Sequence, residues 1–77
     1  MASEIKLTTM SLVEGRQIKK VLERQEVSSQ DLSRAEKNLI KKVSKLSEKI
    51  EWVIDVQYYQ RANGKFLLSG TPVVLED

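Results

Sequence analysis

Apolar and polar positions alternate along this chain with a period that changes from one stretch to the next. In "EIKLTT", Ile5 and Leu7 are separated by a polar residue, the two-residue period of a short strand. The next apolar positions, Ile18, Val21 and Leu22, continue to Gln25 on one helical face, with Gly15 a turn earlier on the same side. Ser11 followed by Glu14 has capping-box spacing. This spacing predicts a first helix from about residue 12 to residue 26. Leu12 and Val13 fall off its stripe, which moves the expected start toward Glu14.

A second helix is predicted from Ser29 to Ile50. Ser28 is the expected N-cap, and Asp31 three residues on adds a negative charge near the helix N-terminus. Leu32, Leu39 and Leu46 recur at seven-residue intervals, with Val43 and Ile50 between them. This a/d-like seam suits packing against the rest of the chain or against a partner helix.

From Trp52 the residues become β-branched and aromatic and the period falls to two. "WVIDVQYYQ" and "KFLLS" read as two strands joined at Asn63-Gly64, the pair favoured in a two-residue type I′ turn. Gly70, Thr71 and Pro72 are expected to end the second strand, leaving "VVLE" as a short edge strand. The order strand, helix, helix, hairpin predicts an α+β fold. It has a short N-terminal strand, two helices and a C-terminal antiparallel β-hairpin, with the helices on one face of a small antiparallel sheet. Residues 1–77 are expected to form one small domain.

The two-residue turn sets a register: Ala62 opposite Lys65, Arg61 opposite Phe66, Gln60 opposite Leu67 and Tyr59 opposite Leu68. Trp52, Ile54, Val56, Tyr58 and Leu67 then share the expected core face. Val53, Asp55, Gln57, Tyr59, Arg61, Phe66 and Leu68 share the other. On that outer face Tyr59, Phe66 and Leu68 form an apolar cluster, a candidate interaction surface unless a terminal strand folds over it.

Composition narrows the chemistry. The chain has 77 residues, no cysteine and no histidine. Disulfides, thiolate and imidazole metal sites and histidine-based catalysis are therefore excluded. A chain this short draws extra stability from a well-packed core or from oligomerisation. Nucleotide-binding, metalloprotease, nucleophile-elbow and calcium-loop motifs do not occur. The carboxylate pairs Glu48/Glu51 and Glu76/Asp77 read as solvated groups. No enzyme, no cofactor and no metal are expected. The N-terminus has no apolar signal region and no stretch is long enough to cross a membrane, so a soluble cytoplasmic protein is expected.

Thirteen basic residues against eleven acidic ones leave a net charge of +2, so distribution matters more than the sum. On the second helix Arg34, Lys37, Lys41, Lys42, Lys45 and Lys49 fall on an arc away from the leucine stripe, with Asp31 and Glu48 intruding. Lys37, Lys41, Lys45 and Lys49 are candidate phosphate contacts, and Arg61 and Lys65 at the hairpin tip would extend their footprint. Tyr59 or Phe66 would stack on an exposed base.

In outline, "SSQDLSRA", "NLIKKVSKL" and "YYQRANGKF" resemble the helix, recognition helix and wing of the winged-helix arrangement. That resemblance implies nucleic-acid binding; the "AEKN" between the two helical segments departs from it by carrying no glycine. The expected function is a non-enzymatic binding module, nucleic-acid-associated through the basic helix face and hairpin tip. The alternative is a protein-interaction or homodimerisation module, such as a small adaptor or an inhibitor of a larger machine.

Overall fold

The computed structural model describes residues 5–46 and 48–76. Its elements run β1 (Lys6–Leu7), β2 (Ile18–Val21), β3 (Gln25–Ser29), α1 (Leu32–Ser44), β4 (Trp52–Gln60) and β5 (Phe66–Leu75). The sheet order is β1-β4-β5, and the far side of β5 is shared by β3 along its first half and β2 along its second. β1 runs parallel to β4 and the other pairings are antiparallel. β3, α1 and β4 therefore form a β-α-β crossover, with β5 inserted between its two parallel strands.

There is one helix, not two. The segment expected to be helical from about 12 to 26 is a loop followed by β2 and β3. Its helix-like spacing arises from irregular strands. One extra residue lies between Ile18 and Lys20, and the pairing offset shifts again between Val21 and Gln25. Each added residue returns the side chain three positions on to the same face. Ile18 and Val21 thus share the face away from α1, while Leu22 and Gln25 share the face beneath it. Gly15 sits at φ +76° in the loop before β2, a conformation that suits glycine and interrupts any helix.

α1 is shorter than expected. Its N-cap is Asp31, whose Oδ1 accepts the Ser33 N–H at 3.0 Å; Ser28 lies in β3. The helix stops at Ser44, and Leu46 N–H bonds to the Val43 carbonyl at 3.1 Å in a tightened last turn. Thirteen residues rise about 20 Å, enough to cross β3 before the chain turns back to start β4. Glu4, at the start of the expected N-terminal strand, and Ser47, inside the expected second helix, lie outside the described residues.

β5 runs unbroken through Gly70 and Pro72. Leu22 N–H donates to the Pro72 carbonyl at 2.9 Å. A strand residue points its N–H and C=O to the same side, so the donor that proline lacks would have faced the interruption between β2 and β3. Gly70 is required by packing. A Cβ there would come within 2.5 Å of Val53 Cγ1 and 3.1 Å of Val56 Cγ2.

The hairpin register is one residue away from the expected one. Gln60 lies opposite Phe66, Tyr59 opposite Leu67 and Tyr58 opposite Leu68. Gly64 N–H bonds to the Arg61 carbonyl and Arg61 N–H to the Lys65 carbonyl, with Gly64 at φ +84°. This is a three-residue loop, a type I turn closed by a left-handed glycine, rather than a type I′ turn. Asn63 accepts the Lys65 N–H on Oδ1 at 3.1 Å, an Asx-type bond inside the turn.

A bulge in β4 changes the faces again. Asp55, at φ +56°, and Val56 together oppose Gly70. Val53 and Val56 consequently share the helix-covered face, although they are three residues apart. The main core packs them with Ile5, Ala35, Leu39, Val43, Ile50 and Leu68. Trp52 and Ile54 face the other side, in a smaller cluster with Val13, Ile18, Val73 and Leu75 beneath the loop that precedes β2.

Candidate polyanion-binding face and hairpin tip

α1 buries Ala35, Leu39 and Val43 against the sheet. At about 100° per residue, Arg34, Lys37, Lys41 and Lys45 project from the opposite side. All four are exposed. The acids nearest this arc do not enter it. Glu36 lies on the flank toward β4, and Asp31 is engaged in capping. Lys42 lies on the other flank, where its Nζ donates to the Glu26 carbonyl of β3 at 3.0 Å. Among the described residues the one ion pair is Lys20 Nζ to Glu48 Oε1, at 2.6 Å. This hydrogen bond, with the attraction of Lys20, holds the Glu48 carboxyl below its ordinary range. The four outward cations of α1 have no carboxylate partner among the described residues.

The six residues expected to contact phosphates do not share one surface. Lys37 and Lys41 lie along α1, Lys45 is its C-cap, and Lys49 is exposed on the connection to β4. Arg61 and Lys65 line a shallow hollow with Glu26, Ser28, Asn63 and Leu67. Glu26, Ser28 and Leu67 alternate with the residues beneath α1, so this hollow opens on the opposite face of the sheet. Arg34 joins the helix set as its fourth outward cation.

The expected apolar cluster is also divided. Leu68 is fully buried beneath α1. Phe66, two residues before it, is half-buried on that same face. Tyr59 lies on the other face, 52% exposed, its hydroxyl donating to Gln57 Oε1 at 2.8 Å. Tyr58, expected in the core, is 44% exposed at the margin of the helix-covered face. Partial burial, then the nearby Glu36 carboxylate, raises its phenol above the ordinary value of 10.0.

Arg24 was not singled out by the sequence pattern. It reaches over the helix-free face from the interruption between β2 and β3. Nη2 donates to the Asp55 carbonyl at 2.9 Å and Ser69 Oγ at 3.0 Å, and Nη1 to Thr71 Oγ1 at 3.1 Å. It thereby ties the β4 bulge to β5. Only a register that places Ser69 and Thr71 on one face next to Asp55 reveals this role.

No protein family, curated protein or solved structure matches the chain. Among the described residues there is no group of three or more metal-ligating side chains, and no helix is long and apolar enough to cross a membrane. Glu48 of the first carboxylate pair is engaged by Lys20, and Asp77 of the second lies outside the described residues.

Proposed function

We propose that this chain is a non-enzymatic binding module that engages the phosphate backbone of a nucleic acid through the outer face of α1. The observation that carries this reading is the row of Arg34, Lys37, Lys41 and the C-cap Lys45, exposed along α1 with no carboxylate partner among the described residues. Lys37, Lys41 and Lys45 follow one another at four-residue intervals, about 6 Å apart along the axis. Like charges at that spacing weaken a helix, and a phosphate backbone relieves the repulsion while releasing counterions. Contacts of this kind hold the backbone and do not read bases. Arg61 and Lys65 stand outside this footprint.

The test is a fluorescence-anisotropy titration of duplex and single-stranded DNA and RNA across a salt series. Four phosphate contacts on a duplex give a log–log salt slope of about −3.6. Lys41→Glu/Lys45→Glu should flatten that slope and weaken binding by at least roughly tenfold, while Arg61→Glu/Lys65→Glu leaves the slope nearly unchanged. Equal losses from both pairs, or none from the helix pair, would reject this face as the binding surface.

A further inference from the structure

The outer edge of β4 suggests a second contact surface. β1 and the residues after it cover only the first half of that edge. Val56 N–H bonds to the Thr8 carbonyl at 3.0 Å and Asp55 N–H to the Met10 carbonyl at 2.8 Å. Arg61 N–H points inward to Lys65. Because backbone groups alternate in direction along a strand, Gln57 and Tyr59 also point toward β5, whereas Tyr58 and Gln60 point away from it. Among the described residues nothing bonds to the N–H or C=O of Tyr58 or Gln60. The remaining edge is protected differently. At β3, the Lys42 ammonium occupies the Glu26 carbonyl, and at β2 a register shift interrupts the ladder. Lysines and bulges are known ways to block strand addition.

We propose that the free edge of β4 pairs antiparallel with the same edge of a second copy of this chain, with Tyr58 opposite the partner's Gln60 and Tyr59 opposite the partner's Tyr59. A twofold axis normal to the sheet is the symmetry that joins two identical edges with their faces matched. This register satisfies all four outward groups in two reciprocal pairs and calls on neither Asp55 nor Val56, whose N–H groups Met10 and Thr8 already hold. "VQYYQ" carries no charge, so two copies approach without like-charge repulsion at the seam. The Tyr59 pair is a non-hydrogen-bonded one, the closer type at about 4.5 Å between Cα atoms. It brings together two phenol rings that are each half-exposed in the single chain. A second copy fits this edge better than an arbitrary strand, because its twofold register provides both the hydrogen-bonding and aromatic matches. Both α1 helices would then lie on one face of a continuous sheet. The contact is independent of the polyanion reading and is measured without nucleic acid.

Sedimentation or light scattering over a wide concentration range tests the proposal. The mass should climb from 8.8 kDa toward twice that value, equally at low and high salt. Hydrogen exchange should slow at the Tyr58 and Gln60 amides as concentration rises, while Gln57 and Tyr59, already bonded to β5, remain unchanged. Tyr58→Pro removes the outward N–H together with the half-exposed phenol but no backbone bond to β5, and Tyr59→Lys places two ammonium groups at the seam from an exposed position. Either variant should remain at the monomer mass. Dimers that survive both substitutions, or exchange that slows elsewhere but not at Tyr58 and Gln60, would overturn the pairing. So would a wild-type monomer at every concentration, which would leave this edge to a strand from another protein.

Discussion

Gly70 shows how a single residue links the two longest strands. It sits opposite the bulge formed by Asp55 and Val56, where β4 has two residues for one on β5. The extra residue turns Val56 back toward the helix side, and the absent side chain at Gly70 leaves room for Val53 and Val56. Gly70→Ala should therefore destabilise the fold by ~1–3 kcal/mol, as overpacking does when neighbours cannot yield. Urea unfolding measures it; a change below about 0.5 kcal/mol would mean that the two valines relax freely. Gly70 and Pro72, separated by Thr71 alone, suggest a strand end in the sequence. Pro72 is tolerated because its missing donor faces the interruption on the neighbouring edge, a fact of pairing rather than of local propensity.

At the scale of elements, the leucine stripe of α1 was legible and its ends were not. Leu39 and Val43 are buried as the heptad spacing implied, because a helix crossing a sheet needs one apolar stripe. Ser28, Ser29 and Asp31 all have the side-chain chemistry of an N-cap in the same short stretch. Ser28 is committed to β3 and Asp31 caps. Asp31→Ala should cost ~1 kcal/mol, whereas Ser28→Ala should change stability by less than about 0.5 kcal/mol. Thermal denaturation of the two variants distinguishes them, and the opposite order would place the helix start three residues earlier. The neighbouring segment from Ile18 to Gln25 gave a helical period from strand residues. Two local insertions generate i, i+3 spacing without any helix, and neither leaves a mark such as proline or paired glycines.

For the whole molecule, the sheet separates two sets of charge that the linear pattern puts in one footprint. The outward cations of α1 lie on one side; Arg61 and Lys65, sharing a hollow with Glu26 of β3, lie on the other. This arrangement yields a prediction that couples stability to binding. Lys37→Glu replaces like-charge neighbours at Arg34 and Lys41 with favourable pairs. It should stabilise the fold by about 0.5–1 kcal/mol at low salt, with a smaller gain at high salt. The same variant should weaken DNA or RNA binding. If stability rises and binding is untouched, the helix face is ordinary solvated surface. The one-helix fold also corrects the winged-helix outline, since "SSQDLSRA" spans the end of β3 and the start of α1 and supplies no first helix.

A short strand ahead of a helix with an apolar stripe, a hairpin after it, and the lack of thiol and imidazole groups were all readable from residue order. These follow from residue types and from periods sustained over several turns or strand residues. Tertiary structure alone decided the register. One residue more in the hairpin loop, one bulge at Asp55 and two shifts before β3 determined which side chains meet the helix. Each is a single-residue change in pairing, and in a strand a single residue exchanges the faces. The burial of Leu68, the exposure of Tyr58 and the separation of the two basic groups all depend on that count.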